Sequence, residues 1–227
     1  MAHVRTVLAV GCCALSALAS AAPSEIKVFT DELARYREHT LETHVNKANA
    51  GPWRVMPEYS YGLWHDWEVS LQLPFAFGSG AASAEGYRAE LQYIAPHDED
   101  RGFYWGINME LARVSRREES AFWNVEVIPI IGWRSGDWHL VANPGFERPV
   151  SGTERSTTAT PAAKVAYRAW RRNDFGVEYY RDSATSRALY LAWDGKLGKS
   201  DVNVGVGRGS GPASDRWVLK AIYEFTF

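Results

Sequence analysis

Polar and apolar residues alternate along most of this chain with a period of two, the spacing of a β-strand with one wet face and one apolar face. Trp67, Val69, Leu71, Leu73, Phe75 and Phe77 alternate with Glu68, Ser70, Gln72, Pro74 and Ala76, and Phe103, Trp105, Ile107, Met109 and Leu111 with Tyr104, Gly106, Asn108, Glu110 and Ala112. The chain closes the same way, with Trp217, Leu219, Ala221, Tyr223, Phe225 and Phe227 set against Val218, Lys220, Ile222, Glu224 and Thr226. A slip of one residue would exchange the two faces, so register is strongly specified.

From Thr40 onward the pattern resolves into twelve segments, at about 39–48, 53–61, 67–77, 85–95, 102–114, 121–133, 137–146, 160–170, 174–183, 186–195, 201–209 and 215–227. Most have the roughly 9–11 residues that a tilted strand needs to cross a bilayer. An even-stranded barrel with both termini in the periplasm alternates short inner turns with longer outer loops. Counting back from Phe227 makes Gly62–Asp66, Pro96–Arg101, Arg134–Gly136, Arg171–Asn173 and Lys196–Ser200 the inner turns, and leaves the long Ser/Thr-rich linker Glu147–Ala159 outside. With that topology Trp64, Trp67, Trp133, Trp138, Trp170 and Trp193 fall at inner strand ends and Trp53, Trp123 and Trp217 at outer ends. These are two interfacial belts.

The expectation is therefore an all-β fold, a transmembrane antiparallel up-and-down barrel of about 12 strands over residues 39–227, preceded by an N-terminal segment at 22–38. That segment is expected to be periplasmic or lumenal. Thr30 followed by Asp31 and Glu32 favours a short helix to Arg37, while Ile26, Val28 and Thr30 allow an extra strand. Pro57, Pro74 and Pro129 fall inside proposed strands of a sheet without edges, so each should mark a bulge or a strand end.

Composition narrows the setting. Arg5, an apolar stretch from Thr6 to Leu18 and Ala19-Ser20-Ala21 read as a signal peptide at 1–21 that is cleaved on export. Both cysteines, Cys12 and Cys13, lie within it, which leaves a mature chain without thiols or disulfides. Without Arg5 there are 24 basic and 27 acidic residues, a net charge of −3, and nothing basic enough for nucleic acid. Ten Trp, eleven Tyr and nine Phe suit a barrel with aromatic girdles.

Two resemblances sharpen this reading. The tail from Trp217 to Phe227 resembles the C-terminal recognition strand of bacterial outer-membrane barrels, which implies the insertion machinery as a partner and outer-membrane lipid as the surrounding phase. Val55 to Pro74, Glu25 to Leu33 and Asp194 to Gly198 resemble the uncharacterised outer-membrane β-barrels grouped with meta-pathway phenol-degradation proteins. That resemblance implies a barrel assumed to help uptake of small organic compounds. It carries no catalytic or binding residue with it.

If the apolar phase faces lipid, the polar phase fills the lumen, and Glu42, Glu58, Arg88, Glu90, Glu110, Lys164, Arg168, Glu178, Lys220 and Glu224 become the expected lining. Ionised groups there need water or partners. The expected function is a narrow passive channel or uptake protein, non-enzymatic and without cofactor or metal. The alternatives are a non-transporting structural or adhesion barrel, a secreted soluble β-protein and an outer-membrane lipid hydrolase. For the last, Ser135 with His139 is the nearest pair, although they straddle an inner turn and no Gly-x-Ser-x-Gly elbow is present. His97-Asp98-Glu99-Asp100 gathers carboxylates and an imidazole but lacks the spacing of a calcium loop, and the glycine-rich run Gly205–Gly211 ends a strand instead of opening a helix.

Overall fold

The computed structural model describes residues 26–49, 51–78, 80, 82–116, 120–153, 155–170, 173–183, 186–211 and 214–227. The expected signal peptide lies outside them. Twelve strands form the wall: β1 (His39–Ala48), β2 (Trp53–Trp64), β3 (Trp67–Gln72), β6 (Gly86–Ile94), β7 (Gly102–Val114), β8 (Phe122–Ser135), β9 (Trp138–Asn143), β12 (Ala162–Trp170), β13 (Asn173–Arg181), β14 (Arg187–Leu197), β15 (Ser200–Ser210) and β16 (Val218–Thr226). Each pairs antiparallel with its neighbour in this order, and β1 pairs with both β2 and β16, which closes the barrel. Four short strands, β4 (Phe75–Phe77), β5 (Ser83–Ala84), β10 (Phe146–Pro149) and β11 (Thr158–Ala159), extend the wall at the outer rim. At the seam the amide of Phe227 donates to the carbonyl of His39 at 3.0 Å.

The barrel is inside-out relative to a soluble protein. Leu41, Leu71, Leu111, Leu189, Leu191, Val206 and Phe225 are exposed on its outside, while Glu42, His44, Glu58, Gln72, Asn108, Glu178 and Lys220 are buried within. An apolar outside and a polar inside is the arrangement of a membrane-spanning barrel. Trp53 and Trp217 stand exposed near the outer rim, and Trp64, Trp133, Trp138 and Trp170 near the inner rim.

The prolines are accommodated differently from expectation. Pro74 does mark a break, between β3 and β4, but Pro57 and Pro129 lie within unbroken strands, and it is the neighbouring strand that gives way. The carbonyl of Pro57 accepts from Leu73 across the β3–β4 break, so the missing N–H faces a gap in the ladder. The pairings either side of the β9–β10 break keep one register, which sets Pro129 opposite Pro144 and Pro144 opposite Pro161. Facing prolines confine the missing ladder bonds to one rung, where each keeps a carbonyl but neither has an N–H to offer.

Residues 26–38 form neither a helix nor a further strand of the wall, and no helix occurs among the described residues. Thr30 Oγ1 does accept from the amide of Glu32, at 3.3 Å, as a cap would. No helix follows because wall side chains take the backbone groups of this segment. Its one sheet-like contact is an isolated parallel bridge from Tyr36 to Gly62. There the carbonyl of Arg35 lies where a side chain on Gly62 would begin, so only glycine admits the chain that closely. Gly207 has a similar part inside the wall, leaving space for the ring of Tyr190.

Candidate functional site: a charged lumen crossed by an N-terminal strap

The segment before β1 is a strap through the lumen. Ile26 packs near the outer rim against Ala48, Tyr190 and Val218, and its carbonyl accepts from Lys220 Nζ at 3.4 Å. Phe29 sits against the opposite wall, in an apolar pocket of Ile94, Tyr104, Ile128 and Ile130. Asp31 reaches the inner rim, with Arg134 Nη2 at 2.6 Å from Oδ1 and Arg134 Nε and His97 Nε2 at 3.1 and 3.0 Å from Oδ2. The chain then turns along the inner end, donating from Ala34 N to Glu68 Oε2 and from Arg37 N to Gly62 O.

Wall side chains replace a neighbouring strand as hydrogen-bond partners for this backbone. Asn143 accepts from Phe29 N and donates to Phe29 O, and Gln92 Nε2 lies 3.3 Å from the carbonyls of both Thr30 and Glu32. Burial opposes ionisation of Asp31, but the Arg134 guanidinium and then His97 outweigh it and hold the carboxyl below its usual range. The strap is thus anchored by charge at its inner end and by apolar packing at Phe29 and Ile26.

The walls are electrostatically unequal. On β1, β2, β3 and β6, Glu42 and Glu58 contact His44 Nε2 at 2.5 and 3.2 Å, Gln72 Nε2 bridges Glu58 and Glu90, and Asn108 from β7 joins Glu90 at 3.2 Å. Arg88 pairs with Glu110 at 3.1 Å, and Glu126 accepts from Thr160. Lys27 from the strap reaches Glu42 at 2.9 Å. Six strands around the ring from β2 lies β12, whose Lys164 pairs with Asp194 at 2.8 Å and Glu178 at 3.7 Å, while Lys220 is bonded to Glu178 and to Tyr180. Burying these charges is tolerable because each is ion-paired or, like Glu90 and Glu126, hydrogen-bonded by neutral side chains.

Of the ten residues expected to line the lumen, Glu42, Glu58, Glu90, Glu110, Lys164, Glu178 and Lys220 are buried in these networks. Arg88 is partly buried against Glu110, and Glu224 is partly buried opposite Glu42 and Asp201. Arg168 is exposed at the inner rim, 3.4 Å from Asp174, and takes no part in the buried network. Sequence alternation also missed Lys27, Asp31, Arg134, His97 and Asn143, which hold the strap. A lysine between Ile26 and Val28 was the available sign that this segment meets acid inside the barrel.

The other candidate residues take separate partners. His97 turns to Asp31, while Asp98 caps Asp100 and pairs with Arg101 in an exposed turn, so no cluster of the four forms. His139 points inward to Tyr104 Oη at 2.8 Å, and Ser135 sits in the hairpin opposite Trp138.

No protein-family model matches this sequence, and no curated protein matches it either. Solved structures do. A KdgM porin superposes with a TM-score of 0.61 at 11% identity, covering 83% of this chain and 99% of that one. LpxR from Salmonella typhimurium superposes with a TM-score of 0.50 at 6% identity, covering 83% and 100%. The fold is that of an outer-membrane β-barrel. At such identities the likeness is one of architecture, and the specific resemblance to the meta-pathway group rests on its turn motifs alone.

Proposed function

We propose that this chain is a narrow conduit for small neutral or cationic organic solutes in the Gram-negative outer membrane, held closed by its own N-terminal strap. The observation that carries the reading is the strap itself: a segment without helix or sheet, laid through a charged lumen and fixed by side-chain contacts. Glu32 follows Asp31 at the inner rim, its side chain exposed there while its carbonyl is bonded to the wall. The acidic excess on β1–β7 favours cations over anions. Uptake of organic compounds agrees with the resemblance seen in the turn motifs.

The reading is of a conduit and not an enzyme. The buried histidines of the lumen sit within its polar networks, His44 with Glu42 and Glu58 and His139 with Tyr104, an arrangement that a purely structural network also provides. A second reading, a non-transporting structural barrel, draws on the density of buried ion pairs. Proteoliposome swelling separates the two. Neutral and cationic solutes should enter faster than anions of equal size, and faster still after Asp31→Ala releases the strap. No flux of any solute through either protein supports the structural barrel.

A further inference from the structure

The group formed by Glu42, His44 and Glu58 has a chemistry of its own. Glu42 and His44 are two apart on β1 and so share its inner face, and Glu58 stands directly opposite Glu42 on β2. Both carboxylates converge on one nitrogen, His44 Nε2, at 2.5 and 3.2 Å. One donor atom from each of the three buried residues lies within 4.8 Å of the others. A single N–H cannot serve two carboxylates well, whereas a cation can.

The surroundings repeat the demand for positive charge. Glu224 is opposite Glu42 on β16, and Asp201 is opposite Glu224 on β15, so four acids stand in one cross-strand row. Like charges set directly opposite destabilise a sheet. Two cations meet this row: Lys196 of β14 pairs with Asp201 at its far end, and Lys27 of the strap reaches the Glu42 end, with Nζ 2.9 Å from the same Glu42 oxygen that contacts His44. Gln72 adds a further donor. Its Nε2 is bonded to Glu58, and its Oε1, on a fully buried side chain, has no hydrogen-bond partner among the described residues.

We propose that Glu42, His44 and Glu58 form a divalent metal site in the lumen wall, of the zinc class, and that Lys27 is its tethered competitor. One imidazole nitrogen and two carboxylate oxygens suit zinc and the later first-row metals better than the all-oxygen preference of calcium or magnesium. A metal bound there takes the Glu42 oxygen from Lys27, so metal occupancy and this strap contact exclude each other. The site stands independently of solute passage, because it is tested by binding.

The test uses the full chain folded in detergent, titrated with Zn²⁺ by calorimetry and with Co²⁺ by absorption. The expected result is one metal per barrel, with Co²⁺ bands of a nitrogen–oxygen site. Lys27→Met should tighten zinc binding by about tenfold or more, the effect of removing an ion-pair competitor worth about one decade. His44→Asn in the Lys27→Met background should abolish stoichiometric binding while the heat-modifiable gel mobility of the folded barrel persists. If His44→Asn does not fold, Glu58→Gln in the same background takes its place with the same expectation. Absence of binding in both the wild type and Lys27→Met, or binding that survives loss of a ligand residue, overturns the site. Equal affinity with and without Lys27 overturns the competition.

Discussion

The side-chain amide of Asn143 makes both hydrogen bonds of a sheet pair with Phe29, accepting from its N–H at 2.9 Å and donating to its carbonyl at 3.0 Å. A side chain on β9 thus holds the strap as a neighbouring strand would, without admitting it to the barrel. Asn143→Leu keeps the bulk and leaves two buried backbone groups unpaired, at about 1–3 kcal/mol each. Hydrogen exchange followed by mass spectrometry should show faster exchange across residues 28–34 and unchanged protection in the wall strands. Uniform exchange across both would contradict this anchoring role.

Asp31 supplies the charged anchor, and its pH dependence follows from the direction of its shift. Its carboxyl in the folded chain ionises below the ordinary 3.8, because Arg134 and His97 together outweigh burial. A group with a depressed folded value stabilises fully above its unfolded value and loses that contribution as pH falls through the folded one. The stability gap between the wild type and Asp31→Asn should therefore be complete at pH 7 and shrink once pH falls below about 3.8. Denaturant midpoints of the two proteins at pH 7 and pH 3 check it, and a gap that widens in acid contradicts the assignment.

The barrel was legible in the sequence because an apolar outside and a polar inside impose a period of two on every strand, and a final aromatic strand fixes the phase. Twelve segments became twelve wall strands, and Leu71, Leu111 and Phe225 face outward as their alternation required. The strap was not legible. Its backbone is satisfied by Asn143, Gln92 and Glu68, residues far away in sequence, so no local periodicity records its path. The prolines mislead for a related reason: whether Pro129 breaks its own strand or its neighbour depends on Pro144 across the sheet. Arg168 has the same phase as Lys164 yet lies at the rim, since alternation gives a face but not a depth.

Lys220 and Glu178 are both almost wholly buried, and Lys164 is the second cation on Glu178. Removing one member of a buried pair costs at most about 3–5 kcal/mol here, because Lys164 still faces Glu178 at 3.7 Å. Lys220→Met should lower unfolding stability by up to that amount, and adding Glu178→Gln should recover part of it, Lys164 keeping Asp194 as its partner. Urea titration in detergent measures both, and additive losses would show that the two side chains are not coupled.

On the outer face Leu191 is 66% exposed near the middle of β14. Arginine at the bilayer midplane costs a membrane barrel about 2–4 kcal/mol, whereas an exposed surface position of a soluble protein tolerates it within about 0.5 kcal/mol. Folding of Leu191→Arg into vesicles should be weakened by the larger amount. Unchanged folding would favour a soluble β-protein.

Single-channel recording in planar bilayers tests the central claim, that the strap closes a conduit. The full chain should show rare, small, cation-selective openings, and a variant lacking residues 26–34 should show a steady conductance many times larger with the same selectivity. No current from the strap-deleted barrel, once its heat-modifiable mobility shows that it is folded, would contradict the account.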